Sequence, residues 1–216
     1  FIFSGSVFQI GNTFGTTHSE KLTEKFFSLL PGTVFEVNKM MGIVIQQLVK
    51  FIGTKGKDRQ EKILEKSGWK DKEIKIEESY PETEFQKLLI TTTEVLGIDA
   101  VAAQIGFAEY IFPVLKNEFP GYFQTAKDVK TFLRRVPRIH LDFPSIIGGN
   151  ATTTEKLKVI NEEPLTFYYK SSNKLCSFMK RLIELSAENY EQKVTIEEPK
   201  CMLRGDDHCE VIVKIK

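Results

Sequence analysis

The apolar period of this chain changes once, near Gly148-Gly149, and the change limits which layered arrangements are open to it. Before that point apolar residues recur at helical spacing. Ile43, Val44, Leu48 and Ile52 mark a helix from Met40 that Gly53 to Gly56 ends, and a short helix follows over about 59–66. Pro81-Glu82 opens a third helix, with Phe85, Leu88, Leu89 and Val95 on one face and Gly97 as its stop. Asp99 caps a fourth that carries Val101, Ala102, Ile105, Tyr110 and Leu115. The segment 125–139 is again helical, and Pro137 is expected to kink it or end its regular hydrogen bonding. After Gly149 the pattern differs: 156–160 and 165–170 predict a hairpin, a helix runs from about Asn173 to Glu188, and 194–196 and 211–215 alternate as strands. Helices first and strands later predict an α+β fold, a helical N-terminal part packed on a C-terminal antiparallel sheet, and exclude a parallel Rossmann layer.

The chain has 216 residues, 41% hydrophobic, enough to enclose one sizeable core with a ligand inside it. Thirty basic residues stand against twenty-nine acidic ones. That balance gives no electrostatic case for nucleic acid or an anionic membrane surface. No apolar run reaches the ~20 residues of a membrane-spanning helix, and the opening residues lack an export pattern, so the expectation is a cytosolic protein. Residues 1–39, which begin at Phe1 and hold Gly, Ser and Thr clusters, read as a poorly ordered extension, with the folded domain over 40–216.

Three cysteines, Cys176, Cys201 and Cys209, cannot all pair with one another. In a reducing compartment such a group binds metal more often than it forms disulfides; the plainer reading is three reduced thiols. Three histidines are present, His18, His140 and His208. His140 lies between Ile139 and Leu141 near the end of a strongly apolar helix, where a titratable ring needs a partner. Taken alone, a core imidazole satisfied by a carbonyl is the commoner outcome. No Gly-rich phosphate loop, nucleophile with a base, or framed pair of carboxylates is found, so no enzymatic activity is expected.

From Met40 to the C-terminus the sequence resembles the haem-nitric oxide/oxygen-binding (H-NOX) domains, which occur as stand-alone bacterial proteins and as the sensor of soluble guanylate cyclase. The resemblance is carried by Met40-Met41-Gly42-Ile43-Val44, Phe119-Pro120-Gly121-Tyr122-Phe123, Ile139-His140-Leu141, Tyr169-x-Ser171, and Cys201 to Cys209 with Gly205-Asp206-Asp207-His208. It implies a b-type haem enclosed between helices and sheet, with His140 as the iron ligand. The family's Tyr-x-Ser-x-Arg grip on the haem propionates falls on Tyr169, Ser171 and Asn173, so the guanidinium is missing; Lys170 and Lys174 flank the site, and Lys174 offers a point charge. A proline that presses on the porphyrin in the family is replaced within Ala151 to Thr154, which implies a flatter haem.

Oxygen-binding members place a tyrosine where this chain has Phe178, and the other distal positions, Val44 and Leu48, are apolar. That implies nitric oxide as the ligand, with carbon monoxide also binding. Release of His140 from iron would then relax the segment 125–147 and change a surface read by a partner, such as a histidine kinase or a cyclic-di-GMP enzyme. Some relatives bind structural zinc through these cysteines and a histidine at the position of Glu198. The fourth donor here lies between Glu198 and His208, with His208 preferred on ligand type. The competing reading is a haem-free, zinc-stabilised interaction domain of the same fold, supported by Asn173. A monomer is expected in either case.

Overall fold

The computed structural model describes residues 39–146, 148 and 156–216. The chain divides into two units, Phe1–Glu36 and Val37–Lys216, and all described residues belong to the second. The expectations for 1–38 and for Ala151 to Thr154 lie outside the described residues.

The helical part begins with a strand, β1 (Lys39–Met41), paired antiparallel with β2 (Ser79–Pro81) so that Met40 faces Tyr80. Helix α1 (Gly42–Gly53) therefore starts two residues later than its apolar period suggests, because the ladder holds Met40 and Met41 extended. Gly42 sits at a close crossing. Its N–H donates to Glu78 O at 2.8 Å, and a Cβ placed on it would lie 1.9 Å from Lys75 O. Gly42→Ala is expected to force that loop away and cost about 1–3 kcal/mol. A denaturant titration would show it as a lower midpoint at unchanged slope.

Helix α2 (Lys57–Ser67) closes on Gly68 at φ 81, with Trp69 N–H returning to Leu64 O at 2.7 Å and Gly68 N–H to Glu65 O at 3.2 Å. These paired bonds satisfy carbonyls that the helix end would otherwise leave open. Helix α3 (Glu82–Leu96) stops at Gly97, as the sequence indicates. Helix α4 (Ala100–Glu118) is capped by Asp99, whose Oδ1 accepts the Ala102 N–H at 2.8 Å. A short helix, α5 (Pro120–Gln124), leads to α6 (Val129–Ile146).

Helix α6 extends beyond the segment 125–139 expected for it, continuing through Pro137 and on through Pro144. Each proline removes one backbone donor, yet burial of Val129, Phe132, Leu133 and Phe143 along one side keeps the helix against the core. Its start is fixed by Asp128 Oδ1, which accepts Thr131 N–H at 2.7 Å, and by Gln192 Oε1, which accepts Val129 N–H at 2.8 Å.

Strands β3 (Leu157–Glu162) and β4 (Leu165–Tyr169) form the hairpin, α7 (Cys176–Asn189) follows, and β5 (Val194–Lys200) and β6 (Cys209–Ile215) complete the sheet. The sheet is antiparallel throughout, in the order β3-β4-β6-β5. The protein is thus α+β, with seven helices among the described residues. Leu165, Phe167 and Tyr169 alternate onto the buried face of β4 and join α1, α4, α6 and α7 residues in one core. The β4–β6 register sets Tyr169, at the end of β4, opposite Cys209, at the start of β6, so the two candidate sites meet across one pair of strands. No single helix among the described residues is long and apolar enough to cross a membrane.

Candidate functional site

Between the helices and the sheet lies a mostly apolar cavity of about 320 Å³, near the lower end of the ~300–1,000 Å³ common for small-molecule sites. Residues of α1, α4, α6, β4 and α7 line it, His140, Tyr169, Ser171, Val44 and Phe178 among them. These five are separated by up to 134 positions in the chain, 178 − 44, and meet only here.

His140 is placed by its own helix. Its Nδ1 lies 2.8 Å from Val136 O, one turn back. A carbonyl only accepts, so the ring proton sits on Nδ1 and the lone pair on Nε2. Accessible ring surface and deep burial coexist at this residue because the surface belongs to the cavity wall. Burial pushes the pKa below its ordinary value, opposed by the Val136 hydrogen bond, and the nearby Lys156 ammonium lowers it further. The outcome is a neutral imidazole of fixed tautomer at an apolar cavity, which is the form that ligates a metal.

Tyr169 and Ser171 reach the cavity together from the end of β4. Desolvation raises the Tyr169 pKa far above its usual value, with Ser171 and the Leu175 backbone hydrogen-bonded to its hydroxyl, so it remains a neutral donor. Asn173 does not line the cavity. It is buried in the turn behind Ser171, its N–H donates to Ser171 Oγ at 3.3 Å, and neither atom of its side-chain amide has a partner among the described residues. An orphaned buried amide is costly, and it stands where the family resemblance calls for a polar group directed at a carboxylate. Lys174, the charge favoured from sequence, is exposed with a left-handed backbone (φ 47) and borders an outer cleft rather than the cavity.

On the other wall, Val44 and Phe178 face the cavity, whereas Leu48 does not. Leu48 follows Val44 by one turn and is fully buried in the core, because only the first turn of α1 reaches the opening. Phe178 stacks on Phe107 at 5.2 Å. Sequence reasoning missed the residue that sets its position: Gln104 on α4 accepts Ser177 and Phe178 N–H through Oε1, at 3.0 and 3.2 Å, and donates to Lys174 O at 3.2 Å. A side chain of α4 thereby satisfies two first-turn donors of α7. No local signal marks that role.

The second site gathers Cys176, Cys201, Cys209 and Glu198, whose ligand atoms all lie within 4.8 Å of one another. Sulfurs bound to one tetrahedral zinc at ~2.3 Å stand about 3.7 Å apart; Cys176 Sγ and Cys209 Sγ are at 3.1 Å, so a small outward shift meets that geometry. Glu198 Oε2 accepts from Lys180 at 2.7 Å and Arg204 at 3.4 Å, while its buried Oε1 has no partner among the described residues. His208, the donor preferred from sequence, is elsewhere: its ring stacks on Tyr168 at 4.7 Å and Nδ1 meets Asp207 Oδ1 at 2.6 Å. The reason is strand alternation, since Cys209 points into the core and its neighbour must point away. Burial raises the Cys176 and Cys209 thiol pKa values, so both are protonated until a cation displaces the proton.

The sequence matches the Haem-NO-binding family over residues 41–198. No protein of curated function matches it. The fold resembles that of an H-NOX protein from S. oneidensis solved in the Fe(II)NO state, with TM-score 0.71 and 21% identity over 82% of this chain and 99% of that one. An H-NOX variant from K. algicida, Fe(II) and unliganded, superposes with TM-score 0.71 and 21% identity over 82% and 97% of the two chains. A T. tengcongensis H-NOX variant gives TM-score 0.67 and 21% identity over 82% and 98%. With the family match spanning most of the described chain and the fold shared with these structures, the protein belongs to the Haem-NO-binding, or H-NOX, family.

Proposed function

We propose that this chain is a haem-based nitric oxide sensor with no catalytic role, in which His140 holds the iron of haem b. The observation that carries the reading is the His140 ring, neutral, held in one tautomer by Val136 O, and set on the wall of an apolar cavity. Haem bound in this cavity would be held at its iron by His140 and would supply the metal that takes a diatomic gas. The chain's residues do the rest. Tyr169 and Ser171 orient the ring system through its carboxylates, and the apolar side chains exclude water. Val44 and Phe178 offer no hydrogen-bond donor to a bound gas, which favours nitric oxide and carbon monoxide over dioxygen.

His140 released from its ligand role would move together with α6, whose regular bonding Pro137 and Pro144 interrupt. Relaxation of the helix that carries the ligand would alter a surface read by a separate signalling protein, such as a histidine kinase or a cyclic-di-GMP enzyme. Three free cysteines suit a reducing cytosolic setting, and the chain would act as a monomer. We further place a structural zinc on Cys176, Cys201, Cys209 and Glu198.

Visible spectra of the ferrous protein test the reading. Nitric oxide is expected to convert the haem to a five-coordinate spectrum, reporting loss of His140. A protein that takes up no haem, yet holds zinc, would instead support the haem-free interaction domain that Asn173 favours. Phe178→Tyr, which adds a hydroxyl to the distal wall, is expected to create measurable dioxygen binding. Unchanged autoxidation and no oxy spectrum in that variant would count against the assignment of Phe178.

A further inference from the structure

A second cleft adjoins the cavity, with the charged residues Lys158, Lys170, Lys174, Asp206 and Asp207 along its border. Two residues, Lys156 and Ser171, line both spaces and so mark the passage between them. Lys156 is fixed there by backbone and side chain alike. Its carbonyl accepts Lys170 N–H at 2.8 Å, which sets it across the ladder from the residue after Tyr169. Its Nζ donates to Glu82, itself only 3% exposed, and to Lys39 O at 3.2 Å. The other Glu82 oxygen accepts from Ser172 Oγ.

We infer that Lys156 is the cationic anchor for the carboxylates of the cavity's ligand, in the role that an uncharged, buried Asn173 cannot fill, and that Glu82 is the positioning residue that keeps the ammonium at the passage. The assignment rests on the proposed haem site. Three arguments carry it. An ammonium has three donors, and Glu82 with Lys39 O account for two of them. Lys156 is partly buried, its side chain 23% exposed, so a carboxylate meeting it is less screened than at the exposed Lys170 or Lys174. Lys156 also lines the cavity together with His140, Tyr169 and Ser171, so its side chain borders the same enclosed space. Ser171, whose hydroxyl shares the passage, supplies the neutral partner.

The test compares hemin with hemin dimethyl ester, which keeps the ring and iron but lacks the two carboxylates. The full chain is loaded with each, and loss to apomyoglobin is followed by absorbance. Lys156→Met leaves a buried Glu82 charge behind, so the informative variant is Lys156→Met with Glu82→Gln, which removes both charges together. That variant is expected to release hemin about ten- to one-hundred-fold faster than wild type, and the ester at a rate within about two-fold of wild type. Lys156→Arg is expected to retain slow hemin release. Equal acceleration for both porphyrins, or no acceleration for either, overturns the role of Lys156 while leaving haem binding intact. A wild-type chain that takes up neither porphyrin overturns the sensor reading, and this assignment with it.

Discussion

Protein carrying His140→Gly is expected to lose the Soret band of the reconstituted wild type, and free imidazole is expected to restore it. The effect is large because the variant removes the one neutral, tautomer-fixed nitrogen on the cavity wall, and with it a coordinate bond rather than a contact. The backbone cost of glycine inside α6 is about 1 kcal/mol, small enough that far-UV circular dichroism should remain that of the folded chain. Imidazole rescue separates a lost ligand from a collapsed pocket. The same substitution has a signature in the haem-free protein. In the unfolded chain the ring protonates near pH 6.5, whereas burial holds the folded pKa lower. Stability from this group is therefore complete above about pH 6.5 and declines as pH falls towards the folded pKa, because protons then favour the unfolded chain. His140→Gly should lack that part of the acid-side decline. An unchanged Soret band in the variant would end the sensor reading.

Removing the metal expected at the cysteine site should produce the second large effect. Purified protein is expected to carry one equivalent of zinc by elemental analysis, and chelation should lower the melting temperature by about 5–15 °C. Cys209→Ser should abolish zinc retention, since Cys209 is fully buried, close to Cys176, and accepts a hydrogen bond from Met202 N–H at 3.3 Å. The loss should spread to the haem site through the ladder that sets Cys209 opposite Tyr169. Glu198→Gln is expected to weaken zinc retention, while His208→Ala leaves it unchanged, because only the carboxylate lies with the three thiols. Zinc well below one equivalent in the untreated protein would dispose of the site.

Much of the architecture is legible in local pattern. The change of apolar period, the Asp99 cap and the Gly97 stop each reflect forces that act over a turn or two of chain. The candidate ligands are named for a different reason: the resemblance to H-NOX domains singles out His140 and the three cysteines, whereas the residues alone fit a core imidazole and reduced thiols. Their partners were harder. Pro137 reads as a kink or an interruption of regular hydrogen bonding, but the apolar burial beyond it that carries α6 on to Ile146 does not show in the local pattern. Leu48 shares a face with Val44 but lies one turn too deep to meet the cavity.

The linear pattern by itself determined that helices precede an antiparallel sheet, while His140 and the three cysteines became candidates through the family resemblance. Only tertiary structure decided that Glu198 rather than His208 lies with those thiols, that the buried Asn173 amide has no partner among the described residues, and that Lys156 pairs with Glu82, 74 positions away. Helical and strand periods repeat within a few residues and are written into any short window. A carboxylate meeting an ammonium across two elements depends on how whole layers pack, and no short window holds that information.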